Sequence, residues 1–181
     1  MNWRLLRALI LLPGSVMGLL PALILYRTRG TRHAARLRRP NDPLFWLALL
    51  LGGAGLGLMA WTVRLFATVG KGTPAPWEPP KRLVIRGPYR YARNPMISGG
   101  QLILIAETLL FRSVPLALLS AFFFLVNALY FPLVEEKGLE ARFGRAYRTY
   151  KAHVPRWIPR LRPWGGGNEN AKRIIGVVSP N

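Results

Sequence analysis

The chain has few residues that could do chemistry, and they fall in two places. Its seven acids are Asp42, Glu78, Glu107, Glu135, Glu136, Glu140 and Glu169. Two of them are adjacent, directly after the apolar run Leu116–Val134. Neighbouring carboxylates at a membrane boundary repel each other and lose solvation, so they call for a cationic partner. One reading pairs Glu135, Glu136 and Glu140 with Lys137 and Arg142 on a solvated helix face. A second reading starts from Arg93-Asn94-Pro95, at the mouth of the apolar segment Met96–Phe111. A helix N-terminus with free N–H groups, beside an arginine and an asparagine, suits a carboxylate or another anion. A carboxylate pair opposite suits an ammonium or a sulfonium.

The elements that must position these groups follow from composition. The 181 residues hold 26 Lys+Arg against 7 Asp+Glu, a net charge of +19, yet 51% are hydrophobic. A disordered basic tail would be poor in apolar residues, and an ordinary soluble domain keeps its charge nearer zero. Ala8–Tyr26, Leu44–Val63 and Ser113–Val134 are free of charge, and a helix needs about 20 such residues to cross the hydrocarbon core. The chain therefore reads as all-α, a multi-pass transmembrane helical bundle of about four membrane segments. The run after Arg4 and Arg7 is too long for a signal-peptide core and ends in arginine, not in a small-residue cleavage site. With no cysteine, disulfides and thiolate metal sites are excluded.

Pro13, Gly14 and Pro21 predict a kinked or re-entrant first segment. The loop Arg27–Pro40 holds six arginines and no acid. In the second segment, Gly53-xxx-Gly57 reads as a close-packing face. The Pro-rich stretch Ala67–Pro95 reads as an ordered loop on the headgroups. Arg112-Ser113-Val114-Pro115 turns the third segment into the fourth, making a helical hairpin. Beyond Val134, Leu139, Phe143, Tyr147 and Tyr150 share one helix face, with Arg142, Arg145, Arg148 and Lys151 on the basic side. That predicts a cytosolic amphipathic helix on the interface, attracted to anionic phospholipids and stopping near Val154-Pro155. Three regions then follow: 1–69, N-terminal segments and Arg-rich loop; 70–164, core; 165–181, flexible tail. All three basic stretches ask for the cytoplasm, which one crossing by the second segment forbids. Either the first Arg-rich loop breaks the rule or one of the first two segments is re-entrant.

The hairpin returns Arg93-Asn94 and Glu135-Glu136 to one membrane face. A zwitterion with an extra positive charge fits between them, and S-adenosyl-L-methionine is such a molecule. The motifs Gly87-Pro88-Tyr89-Arg90-Tyr91-Ala92-Arg93-Asn94-Pro95-Met96 and Glu135-Glu136-x-x-Leu139-x-x-x-Phe143-Gly144-x-x-Tyr147-x-x-Tyr150-x-x-x-Val154-Pro155 resemble the integral-membrane methyltransferase family. That family includes isoprenylcysteine carboxyl methyltransferases and phospholipid methyltransferases, and the resemblance covers about Gly70–Leu161. It implies S-adenosyl-L-methionine between the two motifs, with a lipophilic acceptor entering from the bilayer. Tyr91, Arg93, Asn94, Pro95, Glu135 and Tyr147 are then the expected cofactor-binding residues, with Tyr150 and Pro155 helping to close the pocket. Glu136 is the expected catalytic residue, steadying an ammonium or taking a proton. Three positions depart from the family: Ile97 replaces a tyrosine, Tyr130–Val134 lacks an arginine seen in prenylcysteine-methylating members, and His153 replaces an arginine. These departures weaken carboxyl methylation in particular.

The expected enzyme is an S-adenosyl-L-methionine-dependent methyltransferase of a bacterial inner membrane, its site facing the cytoplasm. The acceptor is a phospholipid amine, or an isoprenoid or small-molecule carboxylate or thiol. An NADPH-dependent membrane reductase and a non-catalytic protein on the same scaffold are the alternatives. His33 and His153 have no companions at metal-ligand spacing, so no metal is expected. Glu107 reads as an interfacial carboxylate. The Lys and Arg residues flank apolar helices, which fits anionic lipid and not nucleic acid.

Overall fold

The computed structural model describes residues 10–70 and 81–165. The expectations for Arg4, Arg7, the Pro-rich run 71–80 and the tail beyond Gly165 lie outside the described residues. Among these, every regular element is a helix. Ile10–Leu19 winds as a wide π-type helix around Pro13 and continues as α1, Leu20–Arg27. Helix α2 is Pro43–Leu65, ending in a π turn at Phe66–Gly70. A single 3-10 turn, Gly87–Arg90, precedes α3, Pro95–Phe111. Helix α4, Val114–Tyr130, runs through a π turn at Phe131–Glu135 into α5, Glu136–His153.

Two helical stretches are long and apolar enough to cross a membrane, Pro43–Gly70 and Val114–His153. Their most apolar windows are only 17% and 11% buried, whereas a soluble core helix would be mostly covered. Leu50, Leu56, Leu118 and Phe122 all stand exposed on them. Gly14–Arg27 and Pro95–Phe111 are shorter apolar helices.

The chain divides into two compact units. The first is Met1–Trp61 with Met96–Ala128. Within it α2 and α3 run antiparallel at backbone contact. A Cβ on Gly55 would lie 2.6 Å from the Gly99 carbonyl oxygen, and one on Gly99 2.9 Å from that of Gly55. Gly53 and Gly57, the expected packing pair, meet nothing within 4 Å. The seam lies on the neighbouring face, through Gly52 and Gly55, because that face meets Ala106, Gly99 and Ile103. Without a hydrophobic drive between helices in lipid, such close approach is what holds them together. Helix α3 also meets α4, where the Gln101 amide donates to the Ser120 hydroxyl at 2.8 Å.

The Arg-rich loop docks on the C-terminal end of α3. Arg36 N–H donates to the Phe111 carbonyl and Arg38 N–H to that of Leu110, both at 2.9 Å. The Arg38 Nε donates to the Leu109 carbonyl at 2.7 Å, while its Nη1 pairs with Asp42. These contacts satisfy carbonyls that a helix end leaves open, and they place cationic charge on its negative pole.

The second unit is Thr62–Pro95 with Leu129–Asn181. Its core is Tyr147, Tyr150 and Val154, with Leu83, Ile85, Leu139, Phe143 and Trp164 packed against them. The amphipathic face of α5 is thus the one read from spacing. It does not lie open to headgroups, however: the unit's own residues cover it. The helix bends at Gly144, whose φ of 53° and ψ of −125° suit glycine alone. It ends at His153, where Val154 turns extended.

Candidate functional site

The second unit holds a buried ion cluster around Glu136. Its side chain is 3% exposed, the first residue of α5 after the π turn. Such turns interrupt the regular helix phase and favour functional positions; this one surrounds Pro132, whose ring cannot join the ordinary ladder. Arg93 Nη1 lies 3.0 Å from Glu136 Oε1, and Arg156 Nε lies 2.6 Å from the same oxygen. Lys151 Nζ approaches Oε2 at 3.2 Å and also pairs with Glu140 at 2.7 Å. Burial alone would raise the Glu136 carboxyl. The hydrogen bond from Arg156 and the nearby charges of Arg93 and Lys151 outweigh it and hold the group below its ordinary value. Glu136 is an anion at neutral pH, with three cations on it.

Each cation arrives from a different place in the chain. Arg93 comes from the loop that enters α3. Lys151 comes from the last turn of α5. Arg156 comes from the segment after that helix, which returns along the motif loop. There Arg93 N–H donates to the Pro155 carbonyl at 2.9 Å, and Asn94 N–H to that of Arg156 at 3.3 Å. Arg160 N–H donates to the Tyr91 carbonyl and Trp164 N–H to that of Arg90, each at 3.0 Å. The Trp164 ring stacks on His153 at 5.3 Å and tilts against Tyr150 at 5.8 Å.

Tyr147 joins the cluster. Its ring is buried, and the Glu136 carboxylate and the Arg93 guanidinium both act on its hydroxyl. Burial and then the Glu136 charge push that hydroxyl up, so it stays protonated. Arg93, Glu136 and Tyr147 are therefore brought together, and Asn94 lies beside them through its backbone. Pro95 opens α3, its missing N–H costing nothing at a helix start. Tyr91 is exposed and enters this region through its carbonyl. Glu135 is half-buried and outside the ion pairs of the cluster among the described residues; Arg142 is the charge that acts on it. Lys151 and Arg156 were not singled out as site residues by sequence reasoning. The signal for Arg156 was its place after Val154-Pro155, where proline reverses the chain at the end of a helix.

Cations outnumber carboxylates here, three against Glu136 alone, or against Glu136 with Glu140. Arg93 is 9% exposed, and its Nε and Nη1 are buried with no hydrogen-bond acceptor among the described residues. A buried guanidinium with a donor to spare is a receptor for an anionic group such as a carboxylate. Glu136, the expected catalytic residue, is here the shared counter-charge of Arg93, Lys151 and Arg156.

The helices carry outward apolar faces, and the second unit carries an ion cluster, rich in cations, beside its motif loop. The sequence signature of the phospholipid methyltransferase family matches residues 44–146, more than half of the chain. The chain belongs to that family of membrane methyltransferases. No curated protein and no solved structure gives a significant match.

Proposed function

We propose that the chain is an S-adenosyl-L-methionine-dependent methyltransferase acting on a lipophilic acceptor. The observation that carries this is Arg93, a buried guanidinium fixed on Glu136 at the entry to α3 with Nε unsatisfied, in a chain of this family. The residues present fit the donor. Arg93 and the cationic surplus suit its carboxylate, and Glu135, outside the ion cluster, is the acid available to its positive charge. When bound, the donor supplies a methyl group on a sulfonium, open to in-line displacement.

The chain's own part is to bind, orient and keep dry. Orientation of two reactants can supply roughly 7–11 kcal/mol of the barrier, and a site reached from the bilayer excludes water. Glu136 holds Arg93 in place. Tyr147, on the same helix as Glu136, stands beside that guanidinium. The family supports a phospholipid amine as the acceptor, and the missing arginine in Tyr130–Val134 argues against a carboxylate.

We place the protein in a bacterial inner membrane with four apolar segments, the motif loop and α5 facing the cytoplasm. Residues 70–164 form the catalytic core in this reading.

Thermal melts of the detergent-solubilised protein test the proposal, with S-adenosylmethionine, S-adenosylhomocysteine or NADPH added separately. A ligand at about 100 times its Kd stabilises by about 2.7 kcal/mol. The adenosyl ligands are expected to raise the melt and NADPH to leave it unchanged. A shift by NADPH alone would establish the reductase instead.

A further inference from the structure

We infer that Arg156 is a positioning residue, set on the segment after α5 to keep Arg93 available for the ligand. The inference rests on the methyltransferase reading and adds a residue to it. Two guanidiniums share one carboxylate oxygen: Arg156 Nε at 2.6 Å and Arg93 Nη1 at 3.0 Å from Glu136 Oε1. Lys151 Nζ stands 3.2 Å from the other oxygen, as an ion pair without a hydrogen bond. An arginine alone with a buried carboxylate closes on it with two parallel N–H bonds. Here Arg156 takes the hydrogen bond at Oε1, and Arg93 stands on Glu136 as an ion pair alone, its Nε and Nη1 both buried without a hydrogen-bond acceptor among the described residues.

Arg156 is held where this requires. Its carbonyl accepts from Asn94 N–H, and the preceding Pro155 carbonyl accepts from Arg93 N–H. The segment is fastened again by Trp164, whose N–H reaches the Arg90 carbonyl and whose carbonyl accepts from Arg90 Nε at 2.8 Å. The motif loop and the returning segment, bonded to each other, thus carry one guanidinium each toward Glu136. Without the Arg156 charge, Arg93 closes on Glu136 and its free donor is consumed. Arg156 acts on the ligand only through that exchange.

The test uses the full chain in detergent and two readouts. The first is the Kd for S-adenosylhomocysteine; the second is the melting temperature of the ligand-free protein against pH. Arg156→Gln is expected to weaken binding about tenfold or more, on the scale of losing one member of a buried charge pair. It also moves the acid decline of stability to higher pH, because the largest influence lowering Glu136 is gone. Arg156→Lys restores the acid limb but only part of the affinity, since a point charge lacks the guanidinium fork. In a Glu136→Gln background the Arg156 substitution changes affinity no further, as no carboxylate remains to capture Arg93. Wild-type affinity in Arg156→Gln would overturn the inference while leaving the methyltransferase reading intact. Equal losses with and without Glu136 would overturn it too, by giving Arg156 a direct role. A wild-type protein that binds neither adenosyl ligand would overturn both.

Discussion

The Tyr150 hydroxyl donates to the Tyr89 carbonyl at 2.7 Å, inside the core of the second unit. It links the face of α5 that carries the core to the loop that carries Arg93. Burial pushes this hydroxyl well up, so it remains a donor at any physiological pH. Tyr150→Phe keeps the ring and leaves the carbonyl unpaired, at a cost of about 1–3 kcal/mol. A lowered melting temperature with unchanged helix content is the expected result. Ligand affinity falls too, because the loop bearing Arg93 loses one of its fixings.

Glu136 sets the acid limit of stability. Its folded carboxyl lies below the ordinary 4.5, so the stability it contributes is fully present above that value. That contribution is lost as pH falls through the folded value. Glu136→Gln removes this limb from a melt-against-pH series. At neutral pH it leaves three cations without their shared counter-charge, and breaking such a buried cluster costs about 3–5 kcal/mol. An acid limb identical in wild type and Glu136→Gln would show that Glu136 is not the group in question.

The α2–α3 seam gives substitutions of opposite sign. At Gly55 an added methyl meets the Gly99 carbonyl, and such overpacking costs about 1–3 kcal/mol. At Gly53 or Gly57 it meets nothing, and the helix gains up to about 1 kcal/mol from alanine. Parallel melts of the Gly55→Ala, Gly53→Ala and Gly57→Ala proteins read the difference. Loss of stability at Gly53 would mean that the seam runs where the spacing alone suggested.

Much of this architecture is written locally. Unbroken apolar runs mark α2 and α4, and the repeat Leu139, Phe143, Tyr147 and Tyr150 marks the buried face of α5. What covers that face is not local. Leu83, Ile85 and Trp164 come from segments with no periodicity, and only the returning chain brings them there. The glycine seam was missed for a related reason: a helix rich in glycine offers several smooth faces, and its partner chooses among them. At the site, residue types announced Arg93 and Glu136. Their mutual distance and the roles of Lys151 and Arg156 depend on a π turn and a chain reversal, which residue types do not encode by themselves.

Methyl transfer measured directly is the sharpest test of the central claim. The purified protein would be reconstituted with bacterial lipid extract and S-adenosylmethionine labelled in its methyl group. Wild type is expected to place label in the lipid fraction, and Arg93→Gln, folded by its melt, to lose that transfer by about 100-fold or more, the scale of removing a buried charged contact. Labelled lipid formed equally by both proteins would contradict the account of the site. No labelled product from a folded wild type that binds the donor would contradict the proposed acceptor class.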